Sequence, residues 1–460
     1  MNKSDALLEK IRLRQAMTRG EKMDLIVRLS VPSILAQLTS ILMFYIDAAM
    51  VGRLGAEAPA AIGLVESSIW LFGALTGSIS MGFSVQVAHF IGANDFGRAR
   101  EVFRQGIMFT TLVAVGLAAV ALAIAAPLPR WLGGDAAICR DATLYFAIFA
   151  LCLPLMMMRT LAAGMLKCAG NMRVPSLLSV LMCVLDVAFN YLFIFVFHMG
   201  VVGAALGTAL SFLVVGIWMM WFAVARSAQL SLTGTGSRWR LQGPYVRNAL
   251  KIGAPMAGQN ILMSGAQIVS TMIVAPLGIM AIAAHSFAIT AESLCYMPGY
   301  GIGEAATTLV GQSIGAEQRG LARSFARMTI AAGMTIMALM GVVMWLLAPE
   351  MIGFLSPVAE IRAMGTAALR IEAWAEPFFA AAIVGYSICV GAGDTLRPAL
   401  MNLGSMWFVR LTLAALLAPR YGLSGVWLAM AVELTFRGTI FLWRIAGGRW
   451  LMRGAAGANP

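Results

Sequence analysis

Long apolar runs separated by short polar loops recur from one end of the chain to the other. An α-helix needs about 20 apolar residues to cross the hydrocarbon core of a bilayer. The pattern predicts twelve spanning helices, at 29–52, 61–88, 104–127, 142–165, 175–197, 201–225, 250–275, 282–311, 327–348, 367–390, 398–419 and 423–444. We therefore predict an all-α polytopic membrane protein.

One longer polar stretch separates the first six spans from the last six. We predict a cytoplasmic N-terminal segment at 1–28, an N-terminal six-helix lobe at 29–225, a cytoplasmic linker at 226–249, a C-terminal six-helix lobe at 250–446 and a cytoplasmic tail at 447–460. Lys and Arg concentrate in alternate loops, and such loops remain in the cytoplasm. We therefore expect both termini and the linker in the cytoplasm of a cell whose inner membrane holds the protein.

The two lobes are related by an internal repeat. Pro32 matches Pro255, an offset of 255 − 32 = 223, and the same offset pairs Pro175 with Pro398. A register kept over such a distance indicates a duplication. Parallel repeats related by an axis along the membrane normal are a recurrent transporter architecture. We predict two pseudo-symmetric lobes around a central cleft.

Composition agrees with a membrane protein and narrows the function classes. The chain is 60% hydrophobic and 12% charged, whereas a soluble chain carries about 25% charged residues. The net charge of +12 reflects topology, so we expect no nucleic-acid partner. No HExxH, CxxC or GxxxxGK[ST] pattern is present, which argues against a metal-dependent enzyme or a nucleotide-driven pump. We expect a monomer in the lipid bilayer without a resident cofactor.

Asp47 is a carboxylate within the first apolar run. A charge at bilayer depth costs about 2.5–3.5 kcal/mol on insertion scales, so it usually faces a water-filled cavity or a partner. The alternative is a position near the outer headgroups, because Arg53 follows only a few residues later. We favour the functional interpretation.

Several motifs follow one another in a fixed order. They are Asp47-x4-Gly52-x2-Gly55, IGAND (91–95), AGNMRVP (169–175), GVVGAALGT (200–208), IGAEQ (314–318) and AGDTLRP (392–398). Together they resemble the multidrug and toxic compound extrusion (MATE) family of secondary antiporters over nearly the whole chain. The resemblance implies twelve spans in two six-helix lobes. It also implies export of amphiphilic, often cationic, compounds in exchange for sodium ions or protons.

The resemblance further implies a cation site in the N-terminal lobe. Asp47 matches the acid of the first span, Asp186 and Asn190 the polar pair of the fifth, and Thr208 the threonine of the sixth. The family order is Asn then Asp, so the pair is swapped here. Such oxygen ligands suit sodium, and desolvated carboxylates can instead carry protons. The alternative for Asp186 and Asn190 is a structural hydrogen bond between helices.

The second lobe carries different acids. The repeat position of Asp47 is 47 + 223 = 270, which is Ser270. We predict that Glu292 and Glu376 contribute to a second cation or substrate site. Glu372 lies four residues before Glu376, near the outer end of the predicted tenth span. For Glu372 we favour a solvated helix end.

Other polar residues lie within predicted spans. In the seventh, we expect neutral polar groups to line the cleft; these are Gln259, Asn260 and Gln267. Arg159 and Arg410 are the basic residues deepest in spans. Each needs a partner or a route to the headgroups, and the sequence assigns neither a role.

The leading hypothesis is a secondary active multidrug efflux transporter that exchanges cationic amphiphiles for protons or sodium ions by alternating access. The alternative is a lipid-linked precursor flippase or polysaccharide exporter of the same broad superfamily. That alternative predicts an Arg-rich cavity, whereas the candidates here are mainly acidic. A membrane-embedded enzyme needs clustered nucleophiles, metal ligands or a catalytic His, and the sequence shows no such cluster.

Overall fold

The computed structural model describes residues 3–234, 236 and 239–452, and its regular structure is helical. Residues of the predicted N-terminal segment, linker and tail that fall outside these ranges are therefore not described. The α-helices are α1 (Lys3–Arg12), α2 (Arg19–Gly52), α3 (Glu57–Gly92), α4 (Phe96–Ala125), α5 (Leu128–Trp131), α6 (Ala136–Cys168), α7 (Arg173–Tyr191), α8 (Gly200–Trp221), α9 (Gly243–Val274), α10 (Ile279–Gly315), α11 (Arg319–Leu355), α12 (Ala359–Glu372), α13 (Glu376–Gly391), α14 (Leu396–Gly404), α15 (Leu411–Tyr421) and α16 (Leu423–Ala446).

Short segments of other helical geometry extend or join these helices. The π-helical segments are Leu192–Val196, Phe222–Arg226 and Ser405–Arg410, and the 3-10 segments are Ala275–Leu277 and Arg449–Met452. Within the described ranges, 11 helices are long and apolar enough to cross a membrane, and a bent pair raises this number to 12. The predicted all-α polytopic fold is confirmed.

The sequence predicts the tenth span as one helix at 367–390, and the structure differs from this prediction. This span is a pair, α12 and α13, whose axes are bent by 62° at a short break. Pro377 lies at the start of α13. It has no N–H to donate to the carbonyl four residues earlier and disfavours helical geometry in the residue before it. The break places Glu372 at the last turn of α12 and Glu376 at the first turn of α13.

The chain forms two compact units. The first-repeat unit is Leu38–Ala257, and the second-repeat unit comprises the described residues of Met1–Gln37 and Gly258–Pro460. Both boundaries fall inside long helices, α2 and α9. The unit boundaries therefore differ from the predicted lobe boundaries, because α2 and α9 are each divided between the units.

The core of the first-repeat unit lies among α3, α4, α6 and α8. Its fully buried side chains include Phe83, Phe103, Leu161, Met165 and Val215. Large apolar side chains also cover the outer surface of these helices, as at Leu112 and Leu151, which are exposed. A helix that is apolar on every side is typical of a membrane span.

The core of the second-repeat unit brings α13 and α16 into close contact at Gly438. A Cβ atom at this position would lie 2.2 Å from the carbonyl oxygen of Phe378. Small residues at helix contacts let backbones in membrane proteins approach closely. The close approach of α13 and α16 therefore requires a residue without a Cβ atom at position 438.

We predict that Gly438→Ala destabilises the protein by about 1–3 kcal/mol, because an added methyl group forces α13 and α16 apart. Thermal unfolding of the purified protein in detergent measures the change. The matched control is Gly116→Ala in α4, where an added Cβ meets nothing within 4 Å. Equal melting temperatures for the two variants would contradict the close approach of α13 and α16.

Candidate functional site

Asn190 joins the two predicted acids of the first-repeat unit. Its Nδ2 donates to Asp47 Oδ1 at 2.9 Å and to Asp186 Oδ2 at 3.1 Å. Asp186 and Asn190 lie one turn apart on α7 and are 0% and 1% exposed, whereas Asp47 on α2 is half-buried. One amide group therefore holds two carboxyl groups together in a mostly buried environment.

Ser211 is a site residue that the sequence analysis missed. Its Oγ lies 3.3 Å from Asp186 Oδ1 and 2.8 Å from the carbonyl oxygen of Thr208, and its side chain is buried. Ser211 follows Thr208 by three residues and so shares its face of α8. That spacing was the available sequence signal.

Gly207 allows α8 to pack directly on the Asn190 amide. A Cβ atom at this position would lie 2.1 Å from Asn190 Oδ1. Asn190 Oδ1 is itself buried and has no hydrogen-bond partner within the described part of the protein. A buried carbonyl oxygen without a donor costs free energy. A bound cation or a protonated carboxyl group would satisfy it, so these residues fit a cation site.

A cavity of about 420 Å³ opens beside this group. Asp47, Asn190 and Thr208 line one part of its wall, and the other lining residues are mostly apolar. The predicted Thr208 therefore lies at the cavity wall beside the acids. Ligand pockets combine an apolar lining with a few placed polar groups in this way.

Aromatic side chains and a second acid form another part of the cavity wall. The rings of Phe44 and Trp70 stack with centroids 5.0 Å apart, and Trp70 Nε1 donates to Glu66 at 3.4 Å. Among the described lining residues, Asp47 and Glu66 are acidic and none is Lys or Arg. Aromatic faces and carboxylates both attract organic cations.

A second group of acids lies in the second-repeat unit. Carboxyl oxygens of Glu292, Glu372 and Glu376 all lie within 4.8 Å of one another, and all three residues are buried. The carboxyl oxygens of Glu372 and Glu376 have no described hydrogen-bond partner. Three negative charges this close in an apolar core repel strongly. The acid cluster, as we call these three residues, is therefore suited to take up positive charge.

The predicted solvated position of Glu372 is wrong. Glu372 is 0% exposed because the helix break turns the end of α12 into the core. The predicted Glu292 and Glu376 are members of the acid cluster. On α9, Gln259 and Asn260 are half-buried and Gln267 is exposed, and these three residues are not members.

The two deep arginines have different surroundings. The guanidinium of Arg159 lies 5.3 Å from the ring centroid of Phe212, a residue of the cavity wall. Arg410 forms an ion pair with Glu433 at 2.7 Å. The sequence analysis named no partner for Arg410, because the pair joins residues 23 positions apart.

Family comparison identifies the class of protein to which these sites belong. The MatE family model matches residues 32–192 and 255–416. The matched segments start 255 − 32 = 223 residues apart, which is the offset of the internal repeat. The chain belongs to the MatE family. The predicted MATE resemblance is confirmed, and the family is one of multidrug efflux transporters that cross the membrane many times.

Curated relatives of the MATE chain cover most of its length. It is 30% identical over 427 residues to "Probable multidrug resistance protein NorM" of Pseudomonas aeruginosa, covering 88% of this chain and 85% of the relative. It is 25% identical over 446 residues to the protein of the same description in Thermotoga maritima, covering 93% of each.

Solved structures share the MATE fold. "Crystal structure of MATE in the straight conformation" superposes with a TM-score of 0.88 at 21% identity and covers 98% of both chains. An outward-facing multidrug resistance MATE family transporter superposes with a TM-score of 0.87 at 22% identity, over 94% of this chain and 96% of that one.

We predict that Gly207→Ala lowers efflux of a lipophilic cation by about tenfold, because displacing a supporting group commonly weakens a cation site by that factor. The added methyl group would push the Asn190 amide away from the carboxyl groups. Efflux of a fluorescent lipophilic cation from cells with matched protein levels measures the effect.

The control for this variant is Gly77→Ala on α3, where an added Cβ meets nothing within 4 Å. Gly77 is not part of the cavity wall. Normal efflux in Gly207→Ala would show that the Asn190 position is not required.

Proposed function

We propose that this chain is a secondary active multidrug efflux transporter that exchanges amphiphilic, cationic compounds for protons or sodium ions by alternating access. The observation that carries the proposal is the Asn190 amide, which joins Asp47 and Asp186 at the wall of an apolar cavity. Family membership supports efflux, and this geometry supports a cation as the coupled species.

The charge of the site explains why it would bind a coupling ion. Two carboxylates bridged by one neutral amide repel each other, and their low-dielectric surroundings strengthen the repulsion. A proton or a sodium ion removes part of this repulsion. Sodium would take oxygen ligands from Asp47, Asp186, Asn190 and Thr208, and a proton would reside on one of the two carboxyl groups.

The cavity explains how the substrate would be exchanged for the ion. Asp47 belongs both to the bridged pair and to the cavity wall. An organic cation in the cavity and a coupling ion at the pair would each neutralise the same carboxylate. Their binding is then mutually unfavourable, and this linkage is reciprocal. Occupation by one favours release of the other, which is the thermodynamic requirement of an antiporter.

The acid cluster of the second-repeat unit is the second candidate site for a proton or a substrate amine. It lies where α12 and α13 break, and broken helices form the binding sites of many secondary transporters. Gln259, Asn260 and Gln267 would contribute neutral polar groups on α9. The distribution of Lys and Arg among the loops supports a cytoplasmic position for both termini, and we propose a monomer in the inner membrane.

The proposal predicts that Asp47→Asn lowers gradient-driven export by at least about tenfold, while the compound still binds. Without a carboxyl group at position 47, the coupling ion and the substrate no longer compete. Purified protein in liposomes, a fluorescent lipophilic cation, and imposed proton and sodium gradients provide the measurement. The control is Glu57→Gln, an exposed acid at the start of α3.

Each result of this experiment has a distinct meaning. The gradient that drives wild-type export identifies the coupling ion. Normal export by Asp47→Asn would remove coupling from Asp47. If the wild type moves no cation under either gradient, the drug-exporter proposal fails. The flippase or polysaccharide-exporter alternative would then be the next hypothesis to test.

A further inference from the structure

Two arginines share one buried glutamate in the second-repeat unit. Glu433 is 0% exposed. Arg410 Nε donates to its Oε2 at 2.9 Å, and Arg437 Nε donates to its Oε1 at 2.7 Å. Ser405 Oγ also donates to Oε1, at 2.5 Å. Because both guanidinium groups stay protonated, Arg410, Arg437 and Glu433 together carry one net positive charge. We call Arg410, Glu433 and Arg437 the arginine pair site.

A local irregularity in the backbone builds the arginine pair site. Ser405 and Arg410 are the first and last residues of the π-helical segment between α14 and α15. Residues five apart share a face of a π-helix, and π-helical turns occur frequently at functional sites. Both side chains thereby reach Glu433 on α16. A regular α-helix would rotate Ser405 and Arg410 onto different faces.

The arginine pair site and the acid cluster belong to the same core. Apolar residues that flank Glu433 on α16, Glu292 on α10 and Glu372 on α12 pack together in one cluster. They are Ala429 and Leu434 beside Glu433, Ala291 and Cys295 beside Glu292, and Leu369 and Ala373 beside Glu372. Trp427 on α16 donates a hydrogen bond to His285 on α10, and α12 packs directly against α16. The two groups therefore form one electrostatic system.

Other polar groups near this system leave the charge count unchanged. His285 Nδ1 accepts a hydrogen bond from Trp427 Nε1 at 3.1 Å. The Nδ1 atom therefore carries no proton, and the imidazole is neutral. Tyr296, Tyr300 and Cys295 on α10 are neutral in their ordinary forms. The three acids of the acid cluster and Glu433 thus face two guanidinium groups.

We propose that the arginine pair site supplies one permanent positive charge to the acid cluster, so that the cluster takes up two further positive charges and not three. The inference rests on the proposed function. With three carboxylates and one net positive charge, the core is neutral when it holds two monovalent charges. A dicationic amphiphile alone, or a monocationic one together with a proton, meets this requirement. Arg410 acts here as a positioning residue through its charge.

The test uses substitutions of opposite sign at the arginine pair site. Arg410→Gln removes a positive charge and should tighten binding of a lipophilic cation. Glu433→Gln removes a negative charge and should weaken it. We expect each change of one unit charge to shift the Kd by about tenfold. The double variant has the wild-type net charge, so its Kd should return close to the wild-type value.

The readout is the Kd of radiolabelled tetraphenylphosphonium for the full chain in detergent, at fixed pH and ionic strength. Melting temperatures establish that each variant is folded. Arg410→Lys retains the positive charge, so its Kd should stay within about threefold of the wild-type Kd. Arg437→Gln also removes one positive charge from the arginine pair site, so it should shift the Kd in the same direction as Arg410→Gln.

The outcomes separate this inference from the proposed function. Opposite shifts in the single variants and recovery in the double variant support the inference. Shifts in the same direction indicate a purely structural role and overturn it. Unchanged Kd values in both single variants also overturn it. A wild-type protein that binds no lipophilic cation overturns the proposed function and this inference together.

Discussion

The cost of isolating charge in a low-dielectric core governs the polar interior of this protein. A buried carboxylate or guanidinium group is tolerated only with a partner of opposite charge, hydrogen-bond donors or a bound ion. Glu433 meets this condition within the fold, because two guanidinium groups and a hydroxyl group surround it. Glu372 and Glu376 do not, since their carboxyl oxygens have no described hydrogen-bond partner. The contrast separates Glu433, whose charge is compensated within the fold, from Glu372 and Glu376, for which we propose a bound proton or cation.

The acids and their partners lie close to departures from regular helix geometry. Glu372 and Glu376 lie on either side of the break between α12 and α13, Arg410 ends a π-helical segment, and Asn190 lies just before the π-helical segment Leu192–Val196. Irregular backbone at membrane depth is tolerated where it is buried in protein or lines a cavity. In this protein the irregular turns bring side chains from different helices to one place, which a straight helix could not do.

Sequence reasoning recovered the spans because apolar length is a local property, and it recovered the repeat because the offset of 223 is carried by prolines and glycines. It also grouped Asp47, Asp186 and Asn190 into one candidate site through the family resemblance, and the structure brings these three residues together. It missed the burial of Glu372, because it treated Pro377 as a residue within a continuous span. It missed Ser211, Glu433 and Arg437 for a different reason. Their importance depends on which helix faces meet, and helix packing is not encoded in the periodicity of a single helix.

The two repeats have kept their fold while their charges diverged. Ser270 stands where the repeat would place a second Asp47, so the two repeats do not carry the same acids. The first-repeat unit instead joins two carboxyl groups through a neutral amide, beside a cavity lined mostly by apolar groups. The second-repeat unit concentrates three carboxyl groups on helices that share a core with the Arg410–Glu433 ion pair. An amide adds no charge, whereas a guanidinium group offsets one carboxylate. With every carboxyl group ionised and with the charge offset that we propose for the arginine pair site, each arrangement has a formal charge of minus two. Divergence has changed the residues of each site more than the charge that each presents to its ligands.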